Sequence, residues 1–338
     1  MIIDYFKNYG MKFPDVIIKI MEYFDISNNV PDTISEKSVF KFCQYYMQDG
    51  KWLYEPQIIS LICKRLHALN YLTRQNQRDD TGIRDNYLFV QQKPGIFGNK
   101  EKWQYFFNSN VYGFTYIYEL FKEIVVPLVW KKESGDYSVG TGFKYENGIV
   151  TAKHCIEDVN NLSIKGYKAE ELEGKKIYIS SNDGVDIAFI ETGKTDHPHF
   201  FNEDGQVMQE VIVMGYPKIP AFTDFLTVEK ATISSKATVR LTPTRGEIAA
   251  FGYEYLSGVE AMLITARIRG GNSGGPVISQ HGIIVGVACH IPDTGKDNGD
   301  YDDLGYGVAV PMKCVTEIIE RKERTLPVKQ GFFRDFEG

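Results

Sequence analysis

From about residue 120 the chain becomes a series of short β-rich runs: "IVVPLVW", "VGTGFKY", "GIVTAKH", "KKIYIS", "DIAFIE", "VIVMGYP", "TVEKATIS", "AMLITA", "GPVIS", "GIIVGVAC" and "GYGVAVP". Gly, Asn and Asp stand between them. This series limits the fold more than any other feature. About ten strands, each ended by turn residues, must bury their apolar faces against one another, as a barrel or a sandwich. "MKCVTEIIERKER" (312–324) has helical spacing and is expected to close this part.

The first 120 residues follow another period. In "PDVIIKIMEYFD" (14–25) Val16, Ile17, Ile20, Met21 and Phe24 recur at helical spacing. "SEKSVFKFCQYYMQ" (35–48) reads as a second helix with Ser35 as N-cap. "EPQIISLICKRLHALNYL" (55–72) is a third, with Pro56 in its first turn. "YLTRQNQ" and "NYLFVQQ" then alternate like strands around the turn-rich "RDDTGIRD". Three helices and a hairpin over residues 14–92 resemble a winged helix-turn-helix, with 55–69 as recognition helix and 75–85 as wing. On that reading Lys64, Arg65, Arg74, Arg78 and Arg84 would meet phosphates. The alternative is a protein-interaction module whose charges are simply solvated, and His67 then serves packing or surface. "KPGIFGNKEKW" (93–103) reads as a loop, and the aromatic-rich "VYGFTYIYELFKEI" (111–124) as a helix leading into the next domain.

Charge separates the two parts. Residues 1–120 hold 14 Lys/Arg and 13 Asp/Glu; the remainder holds 24 and 31, a net of −7. The whole chain, at −6, does not advertise nucleic-acid binding. No run approaches the roughly 20 apolar residues of a membrane span, and no secretory signal is visible. The five cysteines, Cys43, Cys63, Cys155, Cys289 and Cys314, are odd in number and irregularly spaced. They favour reduced thiols in a cytoplasmic setting over a disulfide framework, and no CxxC pair suggests zinc.

Three segments of the β-rich part carry chemistry. "GIVTAKHCIED" sets His154 just after a strand, "NDGVDIAFIE" sets Asp186 at the start of one, and "RGGNSGGPVI" sets Ser273 in a glycine-rich turn. A serine hydroxyl needs a nearby base, and imidazole is the side chain whose pKa suits neutral pH. The order His, Asp, Ser, with the landmarks "GTGF" (140–143), "GYP" (215–217), "GIIVGVA" (282–288) and "YGVAVP" (306–311), resembles trypsin-like serine proteases of the HtrA style over about residues 121–324. The resemblance implies a chymotrypsin-like double β-barrel and intracellular endopeptidase activity by acyl-enzyme chemistry. Ser273 would be nucleophile, His154 general base and then acid, and Asp186 the group that orients His154. Gly271, Asn272 and Ser273 would form the oxyanion hole: Gly271 and Ser273 offer N–H groups and Asn272 sets the turn. Asp183 is the rival acid. No cofactor or metal is implied.

Departures from the family pattern carry further expectations. Asn272 replaces the Asp that pairs with a cut N-terminus in digestive relatives. No PDZ domain is expected, and residues 325–338 would be a C-terminal tail. Cys155 is expected to be a free, packed thiol, since the family's partner position near Val139 or Gly140 holds no cysteine. Cys289 replaces a serine that supports the catalytic aspartate. The specificity pocket would be lined by Arg267, Arg269, Cys289, His290, Ile291 and Gly307, with Arg267 at its floor; the acidic loop "DTGKDNGDYDD" (293–303) argues the opposite preference. Residues 1–120 would sense or recruit an activating protein partner. The rival readings are a DNA-binding regulator with a protease-like sensor domain and a catalytically silent scaffold. A bacterial stress or defence role would fit a regulated cytosolic protease.

Overall fold

The computed structural model describes residues 2–25, 37–89, 99–131, 137–157, 159–220, 231–234, 237–253, 258–289 and 306–336. The chain forms two compact units, Met1–Glu119 and Leu120–Gly338.

The first unit is mainly helical: α1 Ile2–Lys12, α2 Val16–Phe24, α3 Val39–Tyr45, α4 Pro56–Ala68 and α5 Lys100–Tyr112, with α6 Phe114–Phe121 at its end. Its core collects the apolar faces read from the sequence, including Ile17, Ile20, Phe24, Phe42, Ile59, Ile62 and Leu66, all essentially inaccessible. Strands β1 Thr73–Asn76 and β2 Asn86–Leu88 pair antiparallel after α4. Isolated bridges add Ser38 to Asn86 and Asp25 to Phe89.

Three helix boundaries differ from the sequence reading. Ser38, not Ser35, caps α3, its hydroxyl accepting the Lys41 amide at 3.3 Å; Ser35 lies outside the described residues. Helix α5 begins inside the segment read as a loop, because Asn99 caps it by accepting the Lys102 amide. Gly113, at φ 72°, then ends α5 and splits the aromatic stretch in two. Helix α1 was not expected at all: Asp4, Lys7 and Gly10 interrupt its apolar pattern. Gly10 is needed there, since a Cβ would lie 2.5 Å from the Tyr112 ring.

The second unit is built from β3 Val125–Lys131, β4 Tyr137–Tyr145, β5 Gly148–Thr151, β6 Asn160–Ile164, β7 Ile177–Ile179 and β8 Ala188–Glu191, followed by β9 Glu210–Gly215. After it come β10 Lys218–Pro220, β11 Ala231–Ser234, β12 Ala237–Val239, β13 Thr242–Tyr253, β14 Glu260–Ile264, β15 Pro276–Ser279, β16 Ile284–Cys289 and β17 Gly307–Pro311. Strands β13, β14, β17, β16, β15 and β9 close a barrel. It is filled by Val213, Ile248, Ile264, Val285 and Ala309 among others. Strands β10, β12 and β11 form a small separate sheet, and helix Met312–Arg321 follows the barrel.

The remaining strands form one eight-stranded sheet in the order β18-β7-β8-β5-β4-β3-β6-β19, where β18 is Arg324–Thr325 and β19 is Phe333–Arg334. The stretch 325–338, expected as a tail, is therefore part of this sheet over its described residues, 325–336. The expected second closed barrel is instead this open sheet: β18 pairs with β7 at one edge and β19 with β6 at the other, and Phe332 and Phe333 enter its core beside Leu162. The driving force is burial: two phenylalanines leave water and the edge strands gain backbone partners.

Candidate active site

Strand β5 ends at Thr151, and a single 3-10 turn, Lys153–Cys155, carries His154 away from the sheet. The loop before β8 brings in Asp186, whose backbone carbonyl accepts the Lys153 amide at 3.3 Å. The Asp186 carboxylate then holds His154 twice. Oδ1 accepts the His154 backbone N–H at 2.9 Å, and Oδ2 lies 2.6 Å from Nδ1. This fixes the tautomer. Nδ1 keeps its proton toward Asp186, and Nε2 is left as the basic nitrogen. Burial depresses the imidazole pKa, but the Asp186 bond, the Cys155 thiol and the Asp186 charge outweigh it and hold it above the ordinary histidine value. The His154 side chain is 45% exposed, so solvent screens the pair.

Asp183 is elsewhere. Its exposed carboxylate pairs with Arg324, which lowers its pKa. The choice between the two aspartates thus falls to Asp186 on geometry.

Ser273 sits between Asn272 and Gly274 in a tight loop before β15, and it is buried. Arg269 O accepts the Asn272 amide at 2.9 Å, and Gly271, third in that turn, has φ 102°. Gly270 is not in the positive-φ region, so the turn is type II, which demands glycine at this place. A Cβ on Gly271 would lie 2.4 Å from the Tyr216 carbonyl oxygen. Gly274, at φ 89°, is as crowded: a Cβ would lie 2.0 Å from the Thr141 oxygen.

The N–H groups of Gly271 and Ser273 make no hydrogen bond among the described residues, as an oxyanion site requires. Asn272 differs: its N–H is taken by Arg269 and its carbonyl by the Gly275 amide. It shapes the turn and has no backbone N–H left to offer there. Ser273 Oγ likewise makes no hydrogen bond among the described residues.

The thiols are as expected in one case and instructive in the other. All five cysteines are free. Cys155 is packed against Gly140, where a Cβ would meet its sulfur at 2.5 Å. Cys289 Sγ reaches the Asp186 backbone carbonyl at 3.6 Å. Burial and the Asp186 charge push its thiol pKa well up, so it stays protonated and offers a weak donor beside the carboxylate.

The pocket residues are only partly brought together. Arg267 is exposed, with its carbonyl accepting the Thr244 hydroxyl, and Arg269 is exposed too. Neither forms a floor, because the chain turns their side chains outward. Ile268 between them packs on the barrel core and on Gly307, where a Cβ would meet its Cδ1 at 2.6 Å. His290, Ile291 and the acidic loop 293–303 lie outside the described residues. Ile268 was missed because its two arginine neighbours dominate the reading of that stretch.

Of the five basic residues singled out in the first unit, Arg74 and Lys64 have engaged side chains, and Arg65, Arg78 and Arg84 are exposed. Arg74 is paired with the buried Asp85 at 2.5 Å, and Lys64 Nζ donates to the Thr81 carbonyl at 3.0 Å. The backbone amides of Arg78 and Arg84 donate to Asp85 and Asp79, bonds that shape the tip and do not involve the guanidinium groups. Arg65 stays exposed on α4. His67 Nδ1 lies 3.0 Å from the Leu72 carbonyl, a packing role.

Residues 140–287, which include His154, Asp186 and Ser273, match the family model of the trypsin-like peptidase domain. The second unit is similar to that family over these residues. Curated proteins similar to this chain include Do-like proteases. A chloroplastic Protease Do-like 2 of Arabidopsis thaliana is 25% identical over 205 residues, covering 58% of this chain and 30% of the relative. Serine protease Do-like HtrA of Bacillus subtilis (strain 168) is 29% identical over 196 residues, covering 56% and 39%. The chain thus spans 30% to 39% of the length of these relatives. Among solved structures, the serine endoprotease from Yersinia pestis aligns with a TM-score of 0.42 at 18% identity, over 61% of this chain and 64% of that one.

Proposed function

We propose that this protein is a serine endopeptidase whose peptidase domain cleaves protein chains through an acyl-enzyme on Ser273. In this reading substrate binding brings the Ser273 hydroxyl to His154 Nε2. Oγ attacks the scissile carbonyl carbon and its proton passes to Nε2. The carbonyl oxygen takes the negative charge, facing the Gly271 and Ser273 N–H groups. The C–N bond then breaks, and the proton on Nε2 goes to the leaving amine. Water repeats the sequence on the ester, returning the proton to Oγ. The observation that carries the reading is the double hold of Asp186 on His154, which leaves Nε2 as the base. Ser273→Ala tests it: cleavage of casein and labelling by a fluorophosphonate should both vanish. A comparison of new protein N-termini in cells with wild-type and Ser273→Ala protein would name the substrates.

The contact of Ile268 with Gly307 supports a narrow apolar pocket, suited to a small aliphatic residue before the cut. The free, buried thiols support a reducing, intracellular setting.

The first unit is read as a winged-helix-like module that recruits or senses a protein partner. Helix α3, helix α4 and the β1–β2 hairpin support the winged-helix likeness. A protein partner is favoured over DNA by what is exposed. Gln48 and Lys51 bridge around the Asp49–Gly50 turn, which sets Met47 and Trp52 side by side, and Trp52 packs on Phe40 with ring centroids 5.5 Å apart. All three are at least 36% exposed, an apolar face where a phosphate reader would carry free cations.

A further inference from the structure

Thr141, in β4, is completely buried, yet every hydrogen-bonding group it has is engaged. Its amide donates to the Ser273 carbonyl at 2.9 Å. Its hydroxyl donates to the Gly271 carbonyl at 2.6 Å and accepts the Tyr216 amide at 2.9 Å. Its own carbonyl accepts the Thr151 hydroxyl at 2.7 Å, three residues before His154. One residue of the eight-stranded sheet thus holds the carbonyls on both sides of Asn272, in a loop that belongs to the barrel.

The consequence lies in the peptide planes. The 271–272 peptide is pinned at both ends, its N–H by Arg269 and its carbonyl by the Thr141 hydroxyl. The pinned 271–272 peptide fixes the Cα and carbonyl of Gly271, the anchor on which the 270–271 peptide and its Gly271 N–H are aimed. The space around the hydroxyl offers no substitute: a Cβ on Gly215 would come within 3.0 Å of it. The hydroxyl is also the group that makes Thr differ from Val in a position otherwise filled by shape.

We infer that Thr141 is a positioning residue whose hydroxyl sets the Gly271 N–H in place for the developing oxyanion. This rests on the reading of Ser273 as nucleophile, and it adds a residue that touches no reacting atom. Three full-length variants test it: Thr141→Val, Thr141→Ser and Thr141→Cys, with kcat, KM and amide hydrogen exchange over residues 269–275. The valine variant should lose at least about tenfold in kcat, with KM within about twofold, because a transition-state interaction is lost. Its 269–275 amides should exchange faster. The serine variant should match the wild type in both. A valine variant with wild-type kcat and exchange overturns the inference, as does a serine variant as impaired as valine. Should the valine variant not fold, the cysteine variant decides: a weaker donor of similar shape should lower kcat and speed exchange, and unchanged values overturn it. A wild type that neither cleaves nor labels would end the protease reading, while the exchange comparison would still judge the role of Thr141.

Discussion

Gly271→Ala isolates the oxyanion turn from the rest of the site. The residue sits at φ 102°, and its new Cβ would approach the Tyr216 carbonyl to 2.4 Å and the Pro217 Cα to 3.1 Å. Both neighbours are backbone and cannot swing aside. The cheapest relief is to turn over the 270–271 peptide, converting the type II turn to type I, where an alanine at this place is unstrained. That movement takes the Gly271 N–H away from the oxyanion. One such donor is worth about 3–4 kcal/mol, or roughly 10²–10³ in kcat. The ground-state substrate gains little from the hole, so KM should stay within about twofold. The assay is steady-state cleavage of a peptide library pool by wild type and variant, with the rate of fluorophosphonate labelling as a second reading, since that adduct also needs the hole. Thermal melting checks that both fold alike. A folded alanine variant with kcat within about threefold of wild type would refute the role given to this N–H.

Other expectations follow from the same geometry. Catalysis needs neutral His154, whose pKa is raised, so kcat/KM should rise with pH along a limb centred above the ordinary value of about 6.5; a limb at or below it counts against the Asp186 clamp. Asp186→Asn should lower kcat by about 10³–10⁴-fold through the wrong tautomer, with little change in melting. Phe333→Ala removes a core ring that is only 3% exposed and should cost about 3–5 kcal/mol, on the order of 10 °C in Tm; an unchanged Tm would mean that the C-terminal strands are not part of the fold. Ile268→Ala should widen the pocket and raise kcat/KM for larger aliphatic residues before the cut, read by peptide cleavage profiling.

How far the sequence could be read depended on whether a signal was local. The strand runs, the glycines of the serine turn and the residues of the Asp186–His154 pair announce themselves within a few neighbours. Pairing at a distance does not. "RTLPVKQGFFR" (324–334) has no strand alternation and contains Pro327 and Gly331, yet its two ends join β7 and β6 because two buried phenylalanines anchor it. Arg267 attracted attention as a charge at a numbered position, but the direction of its side chain is set by the barrel, and Ile268 takes the inner place. Thr141 was visible only as part of the "GTGF" landmark, since its partners are about 75 and 130 residues away in sequence. Arg74 and Lys64 looked available because the groups that hold them, the Asp85 carboxylate and the Thr81 carbonyl, lie in a short tip that could as easily have faced solvent.

The central claim is that Ser273 is a nucleophile activated by His154. Its most direct test is to treat the full-length protein with a fluorophosphonate and map the modified residue by mass spectrometry, beside His154→Ala and Ser273→Ala. The account predicts one adduct, on Ser273, that disappears in both variants while each keeps a cooperative melt. An adduct on another serine, or labelling of Ser273 that persists without His154, would contradict it.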